Sequence, residues 1–322
     1  MERYFRYSSA EYIPGYDCRM SRKSGTTNYI LGAIFILFGI IVQIAYFLEF
    51  LVMAGKQNRR LSCYKIMISL GLYDMGSMWI NSMLTGYFWI TGANYCTNPN
   101  LIYITGSLAL AFWCASCMNC FILVIFRILE LCNKPLMELL FMESRTYLVL
   151  IIPFLYGLYF CLYTKPLLFN SDHQSWFFFT FMQNHRMEEY FNYSQTVNNI
   201  LVVAVTCLLY LQYFRILLQF SKLSSGLSWT QRSVFLQCAS ICLINLLYAS
   251  ISVYSNIVPT PSYFVYISHL CWQLGNAFPA FVYLVLNRTI RKEVFALLRF
   301  RKELLQTKVI QSSRTTPFFH KT

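Results

Sequence analysis

Seven long apolar runs leave this chain few ways to fold: Tyr29 to Ala54, Ile66 to Thr91, Leu101 to Phe126, Tyr147 to Thr164, Phe191 to Phe214, Ser233 to Val258 and Ser262 to Asn287. A bilayer core about 30 Å thick takes about 20 mostly apolar residues per helix, and each run meets or approaches that length. Five of the seven carry no Asp, Glu, Lys or Arg, the exceptions being Glu49 in the first and Asp74 in the second. Continuous runs, in place of alternating segments of about ten residues, exclude a transmembrane β-barrel. The 322 residues are 57% hydrophobic and only 12% charged, too apolar for a soluble domain of this size. The expected fold is an all-α membrane protein, a seven-transmembrane helix bundle over residues 29–287.

No apolar run stands behind the charges of residues 1–28, so no signal peptide is read and the first helix serves as its own targeting signal. Seven spans put the termini on opposite sides, and the distribution of Lys and Arg decides which side is cytoplasmic. With the amino terminus outside, that side holds seven of the 26 basic residues: five before the first span, and Lys165 and Arg186 between the fourth and fifth. The other side holds the remaining nineteen, including Lys56, Arg59, Arg60 and Lys65 after the first span and nine residues after Asn287. Residues 1–28 are therefore expected outside the cell and the carboxyl terminus inside. The formal net charge of +13 follows from this asymmetry and is read as attraction to anionic lipid of the inner leaflet. No RNA-binding signature or basic stripe on a soluble domain points to nucleic acid.

All connections are short, so any chemistry sits in the bundle or on its loop faces. No His-Glu-x-x-His, Gly-x-Ser-x-Gly or phosphate-cradling glycine loop occurs, so no enzyme activity and no cofactor are expected. Cys114, Cys117 and Cys120 have a metal-like spacing, yet they lie mid-helix, where cysteine packs as a small hydrophobe. His173 and His185 lack a third partner and are read as surface histidines. Of the 12 cysteines, sidedness leaves Cys18 and Cys96 clearly in the oxidising compartment, and they are the natural disulfide pair. Cys161, near the outer end of the fourth span, is the competing partner. A Cys18–Cys96 bond would tie the amino-terminal segment to the third span and stabilise by about 2–4 kcal/mol.

Six segments together carry a resemblance: SCYKIMISLGLYD (Ser62 to Asp74), YCTNPNLIYITGSLALAFWCASC (Tyr95 to Cys117), ESRTYLVLIIPFLYGLYF (Glu143 to Phe160), SWFF (Ser175 to Phe178), SVFLQCASICL (Ser233 to Leu243) and GNAFPAFVYLVLNRTIRKEV (Gly275 to Val294). They resemble the nematode serpentine receptor class T family of presumed chemoreceptors over nearly the whole chain. The resemblance implies a G-protein-coupled receptor of rhodopsin-like architecture in the plasma membrane of chemosensory neurons, at the cilium. It also implies a small-molecule chemical cue and a heterotrimeric G protein as partners.

Within ILVIFRILEL (Ile122 to Leu131), Arg127 interrupts an apolar run. At 100° per residue, Cys120, Ser116, Trp113 and Ala109 share its face, so Arg127 points toward the bundle interior near the cytoplasmic interface. Glu130, three residues on, can meet it. Two readings compete: the coupling arginine that rhodopsin-like receptors keep at the base of this helix, or a snorkelling anchor. Phe126 stands where those receptors have an acidic neighbour. Asp74 lies about 12 Å along the second helix from Ile66, inside the hydrocarbon, where a carboxyl is functional by default. Ser116 and Asn276 are its expected oxygen partners, either around sodium or around a protonated carboxyl. Pro279 and Tyr283 resemble the hinge of the seventh helix, with the spacing one residue longer. Residues 288–305, with Ile290, Val294, Phe295, Leu297, Leu298, Leu304 and Leu305 among basic residues, read as an amphipathic helix on the inner leaflet. Residues 306–322 read as a cytoplasmic tail, whose Ser312, Ser313, Thr315 and Thr316 suit phosphorylation and arrestin.

A ligand pocket is expected in the outer half, where Tyr87, Ala109, Trp113, Asn199 and Trp272 could converge. That lining is neutral and aromatic, and the third helix has no aspartate for an amine, so a small neutral or weakly polar ligand is expected. The rival class is a ligand-gated channel or small-solute transporter. It should show repeated halves, rings of charge or several intramembrane ionisable groups, whereas Glu49, Asp74 and His269 form no repeat. The topology predicts that the sequon at Asn287 is never glycosylated. Endoglycosidase mapping of the expressed protein checks this, and sugar on Asn287 would invert the orientation.

Overall fold

The computed structural model describes residues 1–18, 24–181, 185–223, 229–258 and 261–299. Among these, seven long helical segments form the bundle: Tyr29–Met53, the segment 62–91, Pro99–Cys132, Arg145–Tyr163, Tyr193–Leu223, Trp229–Ile257 and Ser262–Leu286. They are spans one to seven. Asn28 caps the first span, its side chain accepting from the Leu31 amide, and Asn98 caps the third in the same way with Pro99 in its first turn. Both are favoured helix starts. The second span is helical over Ser62–Met78 and Thr85–Thr91 and π-helical over Trp79–Leu84. It ends at Gly92, whose φ of 63° suits a residue without Cβ.

Burial separates the central span from the peripheral ones. In its most apolar 18-residue window, the third span is 72% buried, against about 30% for the first, fourth, fifth and sixth. The first span accordingly turns Ile30, Ile34, Leu37, Ile41, Ile44 and Phe47 outward while Phe35, Gly39, Val42, Tyr46 and Glu49 face in. An outward apolar face of that length is stable against lipid tails and unstable against water. The fourth span packs closely on the third because Gly157 lies on Ala111 and Ala115, where a Cβ would come within 2.8 Å of the Ala111 carbonyl. Small residues permit such approaches between membrane helices.

At the end of the bundle that carries the disulfide, two segments cover the mouth. Residues Leu168–Asn170 (β1) and Ser175–Phe177 (β2) form an antiparallel hairpin between the fourth and fifth spans, pairing Leu168 with Phe177 and Asn170 with Ser175. Three-residue strands are too short to show in the hydropathy pattern, and this hairpin was not expected. It is held because Leu168, Phe169 and Trp176 are buried and because the Leu167 backbone lies directly on Gly106 of the third span. The amino-terminal segment lies beside it. Tyr4 stacks on Tyr103, Tyr16 sits edge-on to Tyr95, Tyr103 and Tyr190, and the Thr26 amide donates to Asp172 at 2.9 Å. Burial raises the phenols of Tyr16 and Tyr95 above their ordinary range. Cys18 and Cys96 form the disulfide, and Cys161 is buried as a free thiol. His185 does not stand alone: its ring meets Glu189 at 3.0 Å and holds that carboxyl below the usual range. His173 stacks on Phe181.

At the opposite end, a short helix Lys134–Phe141 follows the third span and anchors through Phe141, which packs edge-on against Phe126 at 5.2 Å. Residues 288–299 are helical. Ile290 and Val294 are buried against the bundle, Phe295 and Leu298 face outward, and Asn58 donates to Glu293 at 2.9 Å. Leu304, Leu305 and the tail residues Ser312, Ser313, Thr315 and Thr316 lie outside the described residues.

Two glycine substitutions should separate. Gly106→Ala would set a Cβ 1.7 Å from the Leu167 carbonyl and is expected to destabilise by about 1–3 kcal/mol. Gly71→Ala meets Tyr46 and Phe50 at an ordinary 3.5 Å and should be close to neutral. Thermal unfolding of the purified protein checks both, and equal midpoints would mean that the hairpin does not press on the third span.

Candidate functional site

Arg127 ends its reach inside the bundle. Its Nη1 meets Glu130 at 2.8 Å and its Nη2 meets the Cys63 thiol, from the second span, at 2.6 Å. The Phe126 ring lies 5.5 Å from its Cζ. The arginine side chain is 14% exposed, the glutamate 46%. An exposed pair at this spacing contributes only about 0.2–0.5 kcal/mol, too little to hold a guanidinium out of water. The enclosing surface of Cys63 and Phe126 keeps it in. Arg127 lines a cavity of about 630 Å³ that opens at this end, together with Cys63, Tyr64, Glu130, Gln237 and Arg288. Gln237 donates to Ser233, and Ser233 to the Leu286 carbonyl at 2.8 Å, which ties the sixth span to the end of the seventh. Phe126, where an acid would stand in rhodopsin-like receptors, instead joins the third span to the short helix through Phe141.

Midway along the bundle, Ser116 donates to Asp74 Oδ1 at 2.7 Å. The second carboxyl oxygen lies 3.1 Å from the Tyr46 hydroxyl, which lies 2.7 Å from the Asn276 carbonyl. The three residues expected here are thus brought together, but through Tyr46 of the first span, which sequence reasoning missed. Asn276 contributes its backbone oxygen, while its side-chain amide turns away to the Trp272 carbonyl at 2.8 Å. One turn along the first span, Glu49 is fully buried, and neither carboxyl oxygen has a partner among the described residues. Pro279 lies within the seventh helix and Tyr283 is buried, its hydroxyl also without a partner among the described residues. No three His, Cys, Asp or Glu among the described residues group as metal ligands. Cys114, Cys117 and Cys120 are buried in the packing of the third span.

Toward the disulfide end, Ala109, Trp113, Asn199 and Trp272 are all buried. Trp113 donates its indole N–H to Asn199 at 3.1 Å, Asn199 donates to Ser252 at 2.9 Å, and Tyr156 donates to Asn198. Tyr248 bridges the two tryptophans, edge-on to Trp113 and stacked on Trp272. Tyr87 does not join them. It is 52% exposed and lines an apolar groove of about 620 Å³ on the outer surface with Trp79 and Phe112. Counting at 100° per residue from the buried Asp74 gives the same result: Thr85, Phe88 and Trp89 lie within about 60° of its face and Tyr87 about 140° away, and the first three are buried. His269, Asn81, Ser175 and Trp176 complete this region and were also missed. His269 Nε2 lies 3.0 Å from the Asn81 carbonyl, which can only accept, so Nε2 carries the proton. In the neutral ring Nδ1 then accepts from Ser175 of β2 at 3.4 Å. Trp176 donates to Thr85 at 2.8 Å.

Tyr46→Phe should remove a partner from both Asp74 and the Asn276 carbonyl and cost about 1–3 kcal/mol. A double-mutant cycle with Asp74→Asn, read by thermal unfolding, should give a coupling of at least about 0.5 kcal/mol. A coupling of zero would mean that the two residues act independently.

The model of the serpentine type 7TM GPCR chemoreceptor Srt family matches residues 3–307. Serpentine receptor class T-55 of Caenorhabditis elegans is 28% identical over 312 residues, which cover 94% of this chain and 85% of that protein.

Proposed function

Because the chain belongs to the Srt family of serpentine seven-transmembrane chemoreceptors, we propose that it binds a small neutral or weakly polar compound in the outer half of the bundle and activates a heterotrimeric G protein at its inner face. The family is one of receptors, and the chain is accordingly read as a membrane receptor without enzyme activity. In this reading the disulfide, the hairpin and the amino terminus face the outside, and the Arg127 end faces the cytoplasm of a sensory neuron. The plasma membrane of the cilium is the proposed site of action.

One observation carries the coupling: a cavity of about 630 Å³ opens around Arg127, with walls from the second, third and sixth spans and from the helix over 288–299. Arg127 is held by Glu130 and Cys63 at rest and would be offered to a helix of a Gα subunit when the sixth span moves. Movement there must break the Ser233 contact to the Leu286 carbonyl. Asp74 is the polar link between spans one, two, three and seven. The Tyr46 hydroxyl has one proton for two acceptors, and a protonated Asp74 supplies the second, which favours a proton over sodium at this site. The basic helix over 288–299 rests on the anionic inner leaflet, and the serines and threonines of the tail are the proposed arrestin contact.

Expressing the protein with a panel of Gα reporters against a small-molecule library tests the reading. Arg127→Ala is expected to reach the surface and lose coupling by about tenfold or more, the effect of losing a charged hydrogen-bond partner. Arg127→Lys should recover only part, because it lacks the planar fork. If Arg127→Ala signals like the parent, the arginine is an anchor and the coupling role is abandoned.

A further inference from the structure

Buried polar atoms in folded proteins nearly always have partners, and in a membrane interior no solvent replaces a missing one. Three residues beside His269 break this rule. Asn81 is fully buried with both its side-chain amide nitrogen and its side-chain amide oxygen unpaired among the described residues, and Trp89 and Trp272, 1% and 3% exposed, each leave the indole N–H unpaired. All three border the same imidazole: the Asn81 backbone carbonyl accepts from His269 Nε2 at 3.0 Å, and the Trp89 and Trp272 rings lie 5.7 and 5.6 Å from the His269 ring. By contrast, the neighbouring Trp113 N–H is paired with Asn199. The polar groups of Trp113 and Asn199 are thus already committed to the fold, and those of Asn81, Trp89 and Trp272 are not.

The chemistry of the unpaired atoms is specific. They comprise N–H donors from all three residues and one acceptor, the side-chain amide oxygen of Asn81. Asn81 sits inside the π-helical stretch Trp79–Leu84, a distortion that occurs often at functional positions. The walls around His269 include Phe35 at 5.5 Å and Trp89 at 5.7 Å, aromatic rings with no formal charge. The nearest carboxyl along the second span is Asp74, two turns away and already bonded to Ser116 and Tyr46.

We infer that Asn81 and Trp272 are the polar recognition pair of the ligand site, and that the ligand class is a small neutral alcohol with an apolar body. A hydroxyl oxygen accepts from the indole or the amide N–H while its proton goes to the side-chain amide oxygen of Asn81. A ketone or aldehyde serves the donors alone, and a hydrocarbon serves neither. An amine or carboxylate would need an opposite charge that these walls lack. The inference rests on the outer-half ligand site proposed above and narrows its chemistry.

The test uses the full-length protein in lipid nanodiscs with three probes of one shape: cyclohexanol, cyclohexanone and methylcyclohexane. Binding is read as the rise in thermal unfolding midpoint, without any G protein, so failure of coupling and failure of recognition are distinguishable. Cyclohexanol is expected to raise the midpoint most and methylcyclohexane least. Asn81→Leu, which keeps the branched shape, and Trp272→Phe, which keeps an aromatic ring, each remove the polar atoms and should each weaken the alcohol by about tenfold in the concentration needed while affecting methylcyclohexane least. The ranking of probes on the parent protein is itself decisive should either variant fail to fold. Equal shifts from all three probes, or an alcohol preference that survives both substitutions, overturn the inference. So does the absence of any shift combined with a higher midpoint for Asn81→Leu, since the unpaired atoms then hold a structural water only.

Discussion

Inside a bilayer there is no water to pair with a polar atom, so every such atom must be answered by the protein itself. The interior of this bundle meets much of that requirement along the third span and leaves polar atoms of Glu49, Asn81 and Trp272, among others, unanswered among the described residues. Its polar side chains gather at three levels, each crossing between spans: Arg127 with Glu130 and Cys63, Asp74 with Ser116 and Tyr46, and Trp113 with Asn199 and Ser252. The third span contributes to every level. That is why it is the most buried helix and why its outward neighbours can be almost wholly aliphatic.

The requirement also orders the two ends. At the disulfide end, backbone that is not helical must be paired, and the hairpin pairs with itself while Ser171 and Asn170 reach back to the segment after the second span. Buried aromatic side chains then hold the hairpin and the amino-terminal segment on the mouth. The Arg127 end is different: it is left open as a cavity whose lining mixes apolar side chains with Arg60, Arg127, Arg288, Glu130, Glu138 and Glu143.

Much of the site was legible along the third helix because helical periodicity is local. Arg127, Cys120, Ser116, Trp113 and Ala109 share a face by counting alone, and all but the partly enclosed arginine are buried. The depth of Asp74 followed from its distance along the second run, and its meeting with Ser116 from the resemblance to rhodopsin-like receptors. On the second span the same counting from Asp74 sets Asn81 and Thr85 within about 20° of its face and Tyr87 about 140° away, so Tyr87 was legible as an outward residue from position alone. Partners from other spans were out of reach: Tyr46 and Cys63 are ordinary residues in apolar or mixed runs, and only packing shows what they touch.

The sequence by itself determined the number and approximate position of the spans, the uneven distribution of Lys and Arg among the loops, the place of Asp74 and Arg127 along their helices, and the identity of the cysteines available to pair. These are properties of composition and of position along a chain, and they hold whatever the helices pack against. The tertiary structure decided which atoms answer which: the thiol beside Arg127, the phenol between Asp74 and Asn276, the hairpin over the mouth, and the unpaired amide and indole near His269. Those depend on how each helix is rotated and how closely it approaches its neighbours, and rotation and approach are set by the packing of all seven together.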